Sequence, residues 1–252
     1  MTSEKFVKKA IAYIVGILIV VAVIMIVIDP FCHYHMPFFG MEAVTTDERS
    51  ALIGVTKNDT YDTLLLGSSM SENFIDSWFE DGVFGKSTVK VCLQGAHFDD
   101  YEVILDEAIK HPELKNIVFG LDNYVLTDNP AEQSVTIPEY LSNDKISDDS
   151  FYLWNKSALT VFIPQLIIGN ITENFSDDNA YTWEHIYPCS KELSLGNYMQ
   201  FRPEGFEDPL GAYDYFPNAD NFLERFTKYV EARPDVKFTV YAPPYSIMFW
   251  AY

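Results

Sequence analysis

Residues 62–73 read Asp-Thr-Leu-Leu-Leu-Gly-Ser-Ser-Met-Ser-Glu-Asn, a short apolar run, a glycine and then serines opening a polar stretch. That pattern describes a strand that delivers a hydroxyl to a turn, which suits Ser69 as a nucleophile. The N–H groups of a following helical turn would stabilise a developing oxyanion. The same residues also suit a plain helix start, with Ser69 or Ser71 capping a helix that Glu72 begins. Two further polar turns follow apolar runs: Gln94-Gly95-Ala96-His97 and Asp122-Asn123. His97 titrates in the range a general base needs, and it equally suits a hydrogen-bonded loop position. Asp29, His33 and His35 form another group, of types that bind metal or serve as base. His33 and His35 are spaced as on one face of a strand, directly after an apolar run, so they read as interfacial residues and no metal site is expected.

The elements that must position these groups alternate in type. Strand patterns cover 63–66, 89–93, 116–121 and 237–242. A helix is expected over 71–79. Tyr101, Ile104, Leu105, Ala108 and Ile109 trace the face of a second, ended by His111-Pro112, and Phe222, Leu223, Phe226, Tyr229 and Val230 that of a third. Strands alternating with helices imply an α/β fold with a mainly parallel sheet covered on both faces. In such a sheet, residues just beyond the carboxyl ends of neighbouring strands share one crevice. With the first strand between the second and third, Ser69 would face the turn at Gly95 on one side and Asp122 on the other. The stretch 126–216 breaks the rhythm with acidic loops, many aromatics and an apolar segment over 159–168, and it reads as an insertion or lid.

Serine after strand one, glycine after strand two and an acid or amide after strand three, in that order, resemble the SGNH (GDSL-like) hydrolase superfamily. Gly67-Ser68-Ser69 is similar to its first block, with serine in place of the usual aspartate. Gly95 matches the glycine of the second block, and Gly120-Leu121-Asp122 approximates the Gly-x-Asn of the third. The nearest likeness is to membrane-anchored cell-envelope members that help D-alanylate teichoic acids or O-acetylate exopolysaccharides. The resemblance implies a flavodoxin-like, three-layer parallel sheet and an esterase or O-acyltransferase acting on cell-envelope glycans or their acyl groups. Ser69 would be the nucleophile. Its N–H, the Gly95 N–H and a side chain at Asp122 or Asn123 would surround the oxyanion. No cofactor is implied. An ionised Asp122 would repel an oxyanion, so either Asn123 takes that role or the hole is incomplete. The family's Asp-x-x-His block should follow the last strand. No histidine follows residue 242, so the expectation is a domain truncated before that block, with His97 as the substitute base. The competing class is a non-catalytic glycan-binding domain, or an accessory protein for a membrane-bound acyltransferase.

The amino terminus sets the compartment. Lys5, Lys8 and Lys9 precede an apolar run over 10–28 that carries no charge and is closed by Asp29-Pro30. About 20 apolar residues cross a bilayer, and basic flanks stay in the cytoplasm. The run ends without an Ala-x-Ala-like site, so an uncleaved anchor is expected rather than a signal peptide. The organisation expected is a cytoplasmic tail over 1–9, a single transmembrane anchor over 10–28, a membrane-proximal connector over 29–61 and an extracytoplasmic domain over 62–252, at the plasma membrane. The chain holds 17 basic and 37 acidic residues. Setting aside the three lysines and Glu4 that precede Asp29 leaves 14 against 36, a net charge of −22. So acidic a surface repels phosphate backbones, and no nucleic-acid partner is expected. Three cysteines make no disulfide scaffold: Cys92 reads as a buried strand residue, and Cys32 with Cys189 is the one pairing weighed.

Overall fold

The computed structural model describes residues 3–43, 45–127, 134–172, 180–183, 190–201 and 218–243. In chain order its elements are α1 (Ser3–Ile28), α2 (Glu48–Asn58), β1 (Thr63–Gly67), β2 (Thr88–Cys92), α3 (Phe98–Ala108), β3 (Asn116–Gly120), α4 (Asn123–Thr127), α5 (Glu139–Ser142), α6 (Asp149–Leu153), α7 (Ile163–Thr172), α8 (Lys191–Phe201), α9 (Ala219–Ala232) and β4 (Lys237–Tyr241). A 3-10 turn at Asp76–Phe79 and a π-helical turn at Ala158–Phe162 complete the set. The chain divides into two compact units, one of Met1–Thr60 with Thr136–Asp177 and the other of Tyr61–Val135 with Asp178–Tyr252.

In the first unit, α1 is a 26-residue apolar helix near the amino terminus, long enough to cross a bilayer. It ends where Asp29 takes a positive φ of 46° and gathers the chain that follows. One Asp29 carboxylate oxygen accepts from His33 N (3.0 Å), the other from Tyr34 N (2.6 Å) and His35 N (2.9 Å), and the Tyr152 hydroxyl donates to the first. Burial pushes the Asp29 carboxyl up, with these four donors pulling the other way. The His35 ring stacks on Phe38, with Nδ1 2.7 Å from Met36 O and Nε2 2.8 Å from Ile26 O. The second contact occupies a carbonyl in the last turn of α1 that the helix itself leaves unpaired. The Asp29–His33–His35 group is therefore a backbone anchor at the end of α1. Phe31, Tyr152 and Phe162 pack around it, and Asp47 caps α2 by accepting from Ser50 N at 3.1 Å.

The second unit holds a parallel sheet of order β2-β1-β3-β4. Thr63 pairs with Thr88 on one side and Asn116 on the other, and Asn116 pairs with Lys237, so the four strands run in near-level register. The fold is α/β, with β1 between β2 and β3 as the motif order required. Every residue of β1 and β3 is buried, the mark of central strands covered on both faces. Helices α3 and α9 cover one face: Phe119 meets Tyr101 and Phe226, and Phe226 meets Phe238. Arg225 of α9 binds Asp99 and Glu102 of α3, holding the two helices together.

The other face departs from expectation. No α-helix occupies 71–79; the chain there makes turns and then the 3-10 segment. Ser71 N donates to Ser68 O (2.9 Å) and Phe74 N to Ser71 O (3.1 Å), both tight i to i−3 bonds. The physical reason is the buried Lys90 on β2, whose ammonium takes Glu72 O (3.1 Å) and Phe74 O (2.7 Å), acceptors an α-helix would have used for itself. Ser69 and Ser71 therefore cap no α-helix.

Candidate functional site

The second unit carries the expected polar groups at the carboxyl ends of its strands. Gly67 and Cys92 are register partners, and Leu93 N donates to Gly67 O at 2.9 Å, so the turns after β1 and β2 leave the sheet side by side. On the other side of β1, Gly67 and Gly120 lie together beneath one side chain. A Cβ on Gly67 would stand 2.2 Å from Ser71 Oγ, and one on Gly120 would stand 2.6 Å from the same atom. Only glycine lets the strand ends admit Ser71.

The serines of the turn divide sharply. Ser68 is buried and its Oγ accepts from Met70 N at 3.2 Å, an internal turn bond. Ser71 is fully buried and its Oγ pairs with the Tyr241 hydroxyl at 2.7 Å. Ser69 alone is half-buried, and among the described residues neither its hydroxyl nor its N–H has a hydrogen-bond partner. Trp183 braces its backbone from outside: the indole N–H donates to Ser69 O (2.9 Å) and the Trp183 N–H to Asn73 Oδ1 (2.8 Å).

Two more uncommitted donors arise from the neighbouring turns. Gly95 is exposed, its φ is 58°, and its N–H likewise has no partner among the described residues. A Cβ there would touch nothing, so the glycine answers to backbone conformation and leaves open space above the turn. Asn123 begins α4, and its side-chain Nδ2 is buried with no acceptor among the described residues. A buried amide donor without an acceptor is costly, and such groups call for an explanation.

Asp122 sits apart in chemistry from its neighbour. It is fully buried beside Tyr101 and Tyr241, and its charge adds to the burial that pushes both phenols well above their ordinary value. The Tyr241 hydroxyl also bonds Ser71, which offsets part of that rise. His97 is the residue before α3. Its N–H donates to Asp100 Oδ2 (3.3 Å), and its ring meets Tyr124 edge-on with centroids 6.4 Å apart.

Sequence reasoning missed Lys90, Tyr241 and Trp183. A lysine inside an apolar strand was a visible sign of an internal ion or backbone anchor. Tyr241 and Trp183 carry no signal beyond being aromatic, since their partners lie 170 and 114 residues away. Cys92 is buried as expected, and Cys189 lies outside the described residues. Fold and site together define an α/β protein with a four-stranded parallel sheet, a serine presented at its carboxyl edge and one long apolar amino-terminal helix. No protein-family model, curated protein or solved structure matched this chain.

Proposed function

We propose that this protein is a serine esterase or O-acyltransferase of SGNH type, with a flavodoxin-like core, held at the plasma membrane by α1. Its amino terminus is cytoplasmic and its substrates are cell-envelope glycans or their acyl groups. One observation carries the reading: among the described residues Ser69 keeps its hydroxyl and N–H uncommitted between Ser68 and Ser71, whose hydroxyl oxygens both make hydrogen bonds, while Gly95 N–H and Asn123 Nδ2 are donors without acceptors there on the two flanking turns. Those three donors are the set an oxyanion would need. The buried surroundings of Asp122 support Asn123, rather than Asp122, as the side-chain donor.

In this scheme Ser69 Oγ adds to the ester carbonyl carbon as its proton passes to a base, and the carbonyl oxygen takes the negative charge. Collapse breaks the bond to the alcohol oxygen, which leaves with that proton. Water or a sugar hydroxyl then adds to the acyl-enzyme and frees Ser69 by the same steps reversed. His97 is the candidate base. The His97 ring lies edge-on to Tyr124, which favours a second reading, in which the domain only binds acylated glycan or escorts a membrane-bound acyltransferase.

A fluorophosphonate label and a short-chain aryl ester test the proposal on the full-length protein. Wild-type protein and Ser68→Ala should label and turn over, whereas Ser69→Ala should do neither. Asn123→Ala should lose about 100-fold to 1,000-fold in kcat, as for removal of one oxyanion donor. His97→Ala should lose several orders of magnitude if His97 is the base. Absence of labelling in the wild-type protein rejects the enzymatic reading in favour of the binding one.

A further inference from the structure

Helix α7 and the π-helical turn before it are built inside out for a surface in water. Residues 157–172 contain no charged side chain. Their inward face is Ile163 and Leu166, both buried, and their polar amides are also spent on the protein. Asn170 Oδ1 accepts from Glu42 N (2.7 Å) and its Nδ2 donates to Glu42 O (3.1 Å), while Gln165 Oε1 accepts from Thr46 N (3.2 Å) and Thr46 Oγ1 (3.1 Å). What faces outward is Val161, Ile168 and Ile171, 51%, 59% and 75% exposed. A water-facing helix shows the opposite distribution. The outward threonines behave as hydroxyls do where water is scarce: Thr160 and Thr172 each donate to the carbonyl four residues back, Lys156 O and Ile168 O, at 2.8 Å.

The neighbouring chain supplies the depth. Helix α6 packs along α1, and just past α6 the Trp154 indole N–H donates to Leu18 O at 3.1 Å. Leu18 lies ten residues before Ile28, the end of α1, which is about 15 Å along a helix and half the thickness of a bilayer's hydrocarbon core. Phe162, the last residue of the π-helical turn before α7, packs on Phe31, just beyond that end. We propose that the outward face of 158–172, with Trp154, inserts into the lipid acyl chains of the leaflet at the carboxyl end of α1, as a second membrane-embedded element beside the anchor. This rests on α1 being a membrane anchor and is independent of the chemistry assigned to Ser69.

Full-length protein in phosphatidylcholine vesicles carrying a diazirine on the acyl chain tests it. After illumination, adducts are expected on peptides covering 10–28 and 157–172, but not on 139–150, where Ile146 is 85% exposed and supplies an apolar control in water. Ile168→Asp with Ile171→Asp should lower the yield on 157–172 several-fold and leave that on 10–28 unchanged. Adducts on 10–28 with only the control level on 157–172 overturn the proposal and leave the anchor standing. Absence of adducts from both segments rejects the anchor and the proposal together.

Discussion

Gly67→Ala should disturb this protein more than its size suggests, and the disturbance should vanish when Ser71 is also changed. The new Cβ would stand 2.2 Å from Ser71 Oγ and 2.7 Å from Ser71 Cβ, with the Gly120 Cα next at a comfortable 3.8 Å. Ordinary carbon contacts lie near 3.5–4.0 Å, so Ser71 must retreat by more than 1 Å. Overpacking of this kind costs about 1–3 kcal/mol, and loss of the Ser71–Tyr241 hydrogen bond adds about 1 kcal/mol, for a total near 2–4 kcal/mol. In a Ser71→Gly background the clash is gone, and Ala is worth about 0.5–1 kcal/mol more than Gly inside a strand. Gly67→Ala should then be neutral or slightly stabilising. Urea unfolding of the full-length protein in detergent, followed by tryptophan emission, measures all four corners of the cycle. Trp183 bonds Ser69 and Asn73, so the signal includes the turn itself. At a slope of about 2 kcal/mol per M, the single variant should lower the midpoint by ~1–2 M. If the two substitutions simply add, Ser71 does not lie across the strand ends and the description of the serine turn is wrong.

Other outcomes follow from the same structure. Tyr152→Phe removes one of four donors to Asp29 and should cost about 1–2 kcal/mol, whereas Asp29→Ala strands all four and should cost clearly more; equal losses on thermal unfolding would refute the anchor. Burial pushes the Glu102 carboxyl up, but Arg225 and Lys228 outweigh it and hold the group below its ordinary value of 4.5. The unfolded chain therefore binds the proton first as pH falls, so this contribution is present above that value and is lost as pH drops through the lower, folded one. Urea midpoints measured from pH 7 downward should fall, and Glu102→Gln should flatten the slope; an unchanged slope would show that the Arg225 and Lys228 pairs contribute nothing. Gly95→Ala forces a side chain into a left-handed conformation at φ 58° and should cost about 1–2 kcal/mol by the same unfolding measurement, with no steric addition since its Cβ meets nothing.

The sheet was legible in the sequence because its determinants are local. Apolar runs over 63–66, 89–93, 116–121 and 237–242 match β1 to β4 within a residue or two, and the 3.6-residue pattern at Tyr101 to Ala108 lies on α3, with Ile109 at its carboxyl cap. Burial on both faces leaves such strands few alternatives to a parallel sheet, and the parallel direction then brings their carboxyl ends to one edge. The sequence alone therefore named the turns at Ser69, Gly95 and Asp122-Asn123, and the apolar span that became α1. It also misjudged residues 71–79, whose polar pattern suits a helix in isolation. There, Lys90 claims two carbonyls and the glycines of two strands open a space that Ser71 fills, so tertiary partners override local propensity. Which serine keeps a usable hydroxyl was likewise a tertiary matter. Three serines within four residues are indistinguishable by type. Ser68 is spent on its own turn, Ser71 on a tyrosine 170 residues away, and Ser69 is left over because nothing in the folded chain reaches its hydroxyl among the described residues.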